Sequence, residues 1–403
     1  MWSSALISKI IGLSELSVRF TSAVSGLLVI LLVIWYTYTH YGLLPSLVAY
    51  SSITLNNLFI YRARSGNLDA LSTLLIFVSY LVLISKHKFR LLYLGLLFAI
   101  IYLTRTSFVV FPFTVFFLHE LLFQRNEIKQ NLKYYALFFV SFAIMAGWWL
   151  LAGYLREGLP FLRYYLLNSD QATVTGASLK FFKLDYFYYC YYSLQRRLFF
   201  LFIAGLLLLI PKLKIREYFT QVFFAVALLC ILTFSQRTDN WYLTPSLPFW
   251  SLIIGYAVYE LSRIFKPLKI FPLLILIAVS YISYRTYTQN IIPILNTISA
   301  QGEAASGTYI DTHAGLQDVI VRLDHFYPTL VYYSNRKVFA SPRNATTRSY
   351  FLSRPDVYIK IQKKQIQWAS GQKEATDQFI SDYPDIRYER IQMNNDEYVL
   401  RFL

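Results

Sequence analysis

The sequence carries little charge, glycine, proline or cysteine for its 403 residues. Charged residues make up 15%, against roughly 25% in a soluble globular domain. Two cysteines exclude a disulfide-built scaffold, and 15 glycines with 13 prolines exclude a collagen-like chain. Acid is the scarcer sign, with 22 Asp+Glu against 38 Lys+Arg, a net charge of +16. What fills the chain is apolar: 56% of it is hydrophobic, with 34 Tyr and 33 Phe. A water-soluble globule of this length cannot hide so much apolar surface, and a disordered chain would not contain it. A polytopic membrane protein remains, with aromatic residues suited to membrane interfaces.

The charge is unevenly placed. Residues 1–294 hold 25 Lys+Arg and 10 Asp+Glu, a net of +15; residues 295–403 hold 13 and 12. The first part reads as a basic membrane body and the second as a balanced, soluble tail. The cations form short clusters between apolar runs, with no basic stripe on a nucleic-acid motif, so nucleic acid is not an expected partner. Cys190 and Cys230 suggest no disulfide, and the five histidines show no metal-ligand spacing.

Apolar runs fall at 18–39, 43–60, 70–85, 90–103, 108–123, 134–152, 198–211, 218–236, 243–262 and 268–288. The expected fold is therefore membrane all-α, with about ten transmembrane helices. Several runs are short of a full span, which tilt and flanking aromatics can make up. Basic clusters recur in alternate connections: Lys86, Lys88 and Arg90; Arg125, Lys129 and Lys133; Lys212, Lys214 and Arg216; Arg263, Lys266 and Lys269. Positive residues favour the cytoplasmic side, so connections 61–69, 104–107, 153–197 and 237–242 face outward, with the tail. The four aspartates of the membrane body, Asp69, Asp170, Asp185 and Asp239, all fall in those outward connections.

The tail reads as a small α/β domain. Strands are expected at Thr329–Tyr333, Arg387–Ile391 and Tyr398–Phe402, a helix at Gln372–Ser381, and a turn at Asn394-Asn395-Asp396.

Three outward clusters mix cations with carboxylate or hydroxyl groups. Tyr61-Arg62-Ala63-Arg64-Ser65-Gly66-Asn67-Leu68-Asp69 places two guanidiniums beside one carboxylate. Arginine favours phosphate, and a carboxylate can serve as a base; an interfacial cluster that only ends two spans has the same composition. Thr104-Arg105-Thr106 interrupts an apolar stretch, where a cation is costly and marks a functional position unless it snorkels to the interface. Arg237-Thr238-Asp239-Asn240-Trp241-Tyr242 combines cation, carboxylate, amide and ring, a mixture suited to a sugar phosphate or to an ordinary interfacial connection. The 153–197 connection is long and too aromatic for disorder; its run Tyr186–Tyr192 reads as an amphipathic segment on the membrane. Glu15 and Arg19 are spaced for an i, i+4 pair.

In this order, Gly12-Leu13-Ser14-Glu15 with Arg19, then Arg62 to Asp69, then Thr104-Arg105-Thr106, then Trp241-Tyr242-Leu243-Thr244-Pro245, the chain resembles the C-type, membrane-embedded glycosyltransferases. It is most similar to the group that includes protein mannosyltransferases, Rgt proteins and aminoarabinose transferases, and Tyr327–Arg336 resembles that group's outward C-terminal domain. The resemblance implies a transmembrane glycosyltransferase domain over 1–294 and an extracytoplasmic α/β domain over 295–403. It implies an inverting sugar transfer from a polyprenyl-phosphate donor to a lipid, glycan or protein acceptor, in a multi-pass protein of a prokaryotic plasma membrane. In this group an aspartate of the first outward loop serves as catalytic base or orients the acceptor, and a second aspartate follows the next outward-going span; Asp69 matches the second and is the expected catalytic residue of this chain. Arg62, Arg64, Arg105 and Arg237 would hold the donor phosphate, and Asp239 and Tyr242 would contact substrate. No cofactor is expected beyond a weakly held divalent cation, and no tight metal site. The group's first span and first outward loop, with another catalytic aspartate, have no counterpart, so the chain reads as beginning inside that loop and reduced activity is expected. The rival readings are a flippase for a lipid-linked sugar and a degenerate, non-catalytic homologue. A transporter places ionisable groups at mid-span; here they sit at span ends, which favours the enzyme.

Overall fold

The computed structural model describes residues 7, 9–10, 15–125, 132–159, 185–194, 197–233, 240–268, 270–292, 301–323, 330, 334, 336–339, 355–393 and 396–403. The chain divides into two compact units, Met1–Ile294 and Leu295–Leu403.

The first unit is all helical. Its helices are α1 (Glu15–Tyr41), α2 (Leu43–Thr54), α3 (Asn57–Arg64), α4 (Asp69–Ile84), α5 (Arg90–Thr104), α6 (Val110–Phe123) and α7 (Leu132–Glu157). There follow α8 (Asp185–Ser193), α9 (Arg197–Leu209), α10 (Arg216–Thr233), α11 (Leu247–Ile264) and α12 (Phe271–Thr286). This is the membrane all-α architecture expected from the apolar runs. Arg19–Tyr41 and Leu132–Arg156 are by themselves long and apolar enough to cross a membrane. Leu43–Thr54 with Asn57–Arg64, and Tyr186–Ser193 with Leu198–Lys212, qualify as bent pairs.

One expectation is corrected here. The apolar run 43–60 is not one straight helix; it breaks at Leu55-Asn56 with a 63° bend. The cause is local. Asn56 adopts an extended backbone and its side chain caps the next helix, an alternative to continuing the first that asparagine offers readily.

Helix α11 is the centre of the bundle: from Leu247 through Val258 every residue is buried. Trp250 lies there with its indole N–H donated to the carbonyl of Ala225 on α10, 2.8 Å away. Helices α1 and α2 are joined by Gly42 alone, whose φ of 87° falls where residues with a Cβ are strained.

At the end of the bundle away from Asp69, polar side chains tie several helix ends together. Glu120 on α6 accepts from Arg90 on α5 at 3.1 and 3.2 Å and from the Tyr135 hydroxyl on α7. Its neighbour His119 bonds Glu120 through Nδ1 at 3.0 Å and accepts from Arg216 on α10 through Nε2 at 2.7 Å. Arg216 also donates to the carbonyl of Leu83 at the end of α4. Buried charge of this kind is tolerable only because it is paired.

The second unit holds helix α13 (Gln301–His313), strands β1 (Val319–Arg322) and β2 (Lys337–Phe339), helix α14 (Pro355–Gln362), strand β3 (Trp368–Gln372), helix α15 (Lys373–Asp382), and strands β4 (Tyr388–Gln392) and β5 (Glu397–Phe402). The strands form one mixed sheet in the order β2-β1-β3-β5-β4, the first three parallel and the last two antiparallel to their neighbours. Ala375 and Phe379 of α15 pack on Val321, Ala369 and Leu400 of the sheet. Arg322 is buried with Glu397 and donates to Ser370 Oγ at 2.9 Å. The expected strands at 387–391 and 398–402 and the helix at 372–381 lie within a residue of those observed. Of the strand expected at 329–333 only Leu330 is described, and it is helical; the rest lies outside the described residues, as do Asn394 and Asn395.

Candidate functional site

The site is assembled where three short-range structural events meet. Helix α3 ends at Ser65-Gly66, with Gly66 at φ 72°. Helix α4 then begins on Asp69 itself, which puts the carboxylate in the first turn, at the positive end of the helix dipole. Helix α5 stops at Thr104. Arg105 is extended, and a 3-10 turn over Thr106–Val109 leads into α6.

Asp69 is completely buried. Its carboxylate sits between two guanidiniums. Arg105 donates from Nη1 to Oδ1, and Arg62 Nη1 lies 3.4 Å from Oδ2. The arginine side chains are only 22% and 12% exposed. Among the described residues two guanidiniums thus face this one carboxylate in a poorly solvated place, where cations favour an arriving anion.

Aromatic rings set the attitude of Arg105. Its guanidinium carbon lies 4.6 Å from the Phe108 ring centre and 5.1 Å from that of Tyr242. The two rings meet edge to face at 6.0 Å. Tyr242 comes from the 3-10 segment Asn240–Ser246, which packs on α4. A planar guanidinium on ring faces keeps its N–H edge aimed in one direction.

Helix α3 is pinned from behind. Ala63 faces Gly26 of α1 so closely that a Cβ on Gly26 would stand 2.7 Å from that of Ala63. Gly66 donates its backbone N–H to Ser22 Oγ at 3.2 Å. These contacts fix the helix from which Arg62 reaches Asp69.

Of the residues singled out in the sequence, Arg62, Asp69, Arg105 and Tyr242 are brought together. Arg64 is part-buried on α3, but residues two apart point to different sides of a helix, so it lies round from Arg62. Arg237 and Asp239 lie outside the described residues, as do Asp170 and the side chains of Glu15 and Asp185. Phe108 was not singled out; its signal is the spacing of three from Arg105, which a 3-10 turn stacks on one side. Among the described residues no group of three or more His, Cys, Asp or Glu is placed to hold a metal ion.

Comparison with known proteins bears on this geometry. Residues 1–150, which include Arg62, Asp69 and Arg105, match the family model for dolichyl-phosphate-mannose-protein mannosyltransferase. The structure superposes on ArnT from Cupriavidus metallidurans bound to undecaprenyl phosphate with a TM-score of 0.72, at 13% identity, over 99% of this chain and 86% of that one. The apo state of that protein gives 0.71 at 14% identity, with the same coverage. The Archaeoglobus fulgidus oligosaccharyltransferase in its apo form gives 0.57 at 11% identity, over 92% of this chain and 61% of that one. No curated protein matches the chain by sequence. At these identities the structural likeness is one of fold.

Proposed function

We propose that this chain, which has the fold of the membrane-embedded C-type glycosyltransferases, transfers a sugar from a polyprenyl-phosphate donor on the outward face of a membrane. The observation that carries this reading is the buried Asp69 carboxylate held between Arg62 and Arg105. The first 150 residues matching the mannosyltransferase family, and a shared fold with a protein bound to undecaprenyl phosphate, support it.

The chemistry runs as a single displacement. An acceptor hydroxyl oxygen attacks the anomeric carbon from the side opposite the phosphate. The bond from that carbon to the phosphate oxygen breaks, and the polyprenyl phosphate departs with the electron pair. The hydroxyl proton passes to Asp69 as general base, and the anomeric configuration inverts. Arg62 and Arg105 hold the phosphate and stabilise the negative charge that grows on it.

Tyr242 keeps Arg105 in place and contacts substrate. Arg237 completes the phosphate-binding set, and Asp239 contacts substrate. A weakly held divalent cation, if bound, would be held by Asp69 and would supply further positive charge to the leaving phosphate. The acceptor is a lipid, glycan or protein. The protein spans the membrane about ten times, in a prokaryotic plasma membrane, with the second unit outside.

The test is transfer by the full chain in proteoliposomes from a panel of undecaprenyl-phosphate-linked sugars. Transfer by the protein and its loss in Asp69→Asn support the reading. No transfer together with tight undecaprenyl phosphate binding points instead to a non-catalytic homologue. Movement of the lipid across the bilayer without transfer points to a flippase.

A further inference from the structure

Asn56 stands at the break that separates α2 from α3, and it is 1% exposed. Both ends of its side chain are engaged. Its Oδ1 accepts the backbone N–H of Phe59 at 3.1 Å and so caps α3. Its Nδ2 donates to the backbone carbonyl of Ser193 at 2.8 Å, at the last residue of the aromatic helix α8. A serine or aspartate would serve for the cap alone. The second bond, across 137 positions of sequence, requires an amide donor.

The lever arm is short and its tolerance small. Arg62 lies six residues beyond Asn56, about 9 Å at the rise of an α-helix. A tilt of roughly 10° at the cap moves the base of Arg62 by about 1.5 Å over that length, and displacements near 1 Å are enough to cost a reaction about 100-fold.

We infer that Asn56 is a positioning residue for the phosphate-binding arginine: its cap sets where Arg62 points, and its amide makes that direction depend on the seating of α8. The inference rests on the reading of Arg62 as a donor-phosphate ligand. It extends the site from the charged residues to the junction of two helices that carry no reacting group.

The experiment uses the purified full chain in detergent with undecaprenyl phosphate as the probe. Asn56→Ala weakens binding about ten-fold, the size expected for loss of a helix cap, and Arg62→Ala does the same or more. The double variant binds no more weakly than Arg62→Ala alone, because Asn56 acts through Arg62. Asn56→Ser keeps a capping oxygen and loses the amide donor; it weakens binding about three-fold, since a single neutral hydrogen bond is lost. Asn56→Asp also keeps the capping oxygen but sets a buried carboxylate oxygen against the Ser193 carbonyl and weakens binding more than Asn56→Ser. Should Asn56→Ala fail to fold, these two carry the test.

A second measurement does not depend on the function. The rate at which phenylglyoxal modifies Arg62, followed by peptide mass spectrometry, rises several-fold in Asn56→Ala and by less in Asn56→Ser. Additive losses in the double variant, wild-type binding in both capping variants, or an unchanged Arg62 modification rate overturns the inference. If the unsubstituted protein does not bind undecaprenyl phosphate, the donor reading fails instead, and Arg62 reactivity decides the role of Asn56.

Discussion

Asp69, in the first turn of α4, and Arg105, one residue past the end of α5, form an ion pair that closes one end of a helical hairpin. The pair is made between positions that the chain leaves and re-enters by way of the opposite end of the bundle. Asp69 is fully buried, whereas the Arg105 side chain is 22% exposed. Together with Arg62 they make a charged cluster in which the one carboxylate meets both guanidiniums.

Asp69→Asn keeps the shape and removes the negative charge. Transfer falls about 100-fold or more, as expected for loss of a general base. Binding of undecaprenyl phosphate holds or tightens, because the two guanidiniums no longer share themselves with a carboxylate. Parallel measurement of turnover and lipid-phosphate affinity checks this; equal loss of both would show that Asp69 serves the fold and not the chemistry.

Tyr242→Phe and Tyr242→Ala separate the ring from its hydroxyl. The ring lies against Arg105, and a cation on a ring is worth about 0.5–2 kcal/mol. Tyr242→Phe therefore leaves the donor KM within about two-fold of wild type, whereas Tyr242→Ala raises it by roughly two- to thirty-fold. Steady-state kinetics on the two variants decides it.

Gly26→Ala brings a methyl group to 2.7 Å from the Cβ of Ala63. Overpacking costs about 1–3 kcal/mol, which outweighs the gain of about 1 kcal/mol from replacing a helical glycine. The variant melts at a lower temperature and binds lipid phosphate less well, since α3 must move with Arg62 on it. Adding Ala63→Gly removes the clash and restores both properties.

Glu120→Ala acts at the other end of the bundle. It leaves Arg90 without the carboxylate it holds at 3.1 Å, and breaking a buried pair costs about 3–5 kcal/mol. Thermal unfolding in detergent shows a large drop in melting temperature. The donor KM of the protein that remains folded is unchanged, which distinguishes this cluster from the one around Asp69.

The charges around Asp69 are legible in the sequence because ionisable groups are so costly in an apolar chain. Arg105 interrupts hydrophobic sequence, Arg62 and Asp69 stand where one apolar run gives way to the next, and little besides paired burial or function keeps such groups there. The hairpin of β4 and β5 is legible for a local reason, alternating residues on either side of the turn signal Asn394-Asn395-Asp396 in the sequence. The parallel strands β1, β2 and β3 are not, since their partners lie far along the chain and no single segment reports the pairing. The break at Asn56 is hidden by hydropathy, which sees one continuous run and not the competition between a capping side chain and a helical backbone. Arg90 and Arg216 read as cytoplasmic anchors in the sequence. In the structure they are also hydrogen-bonded to Glu120 and His119, a pairing among separate helices that composition cannot report.

Tyr242 lies more than a hundred residues after Arg105 in the chain. The segment that carries it is the one that packs on the helix of Asp69. During synthesis, then, the three charged residues enter the membrane long before the ring that steadies Arg105 exists. Whatever shelters those charges in the interval is temporary, and the finished site is a late event of assembly: it is completed only when the polypeptide has been made and inserted through Ser246.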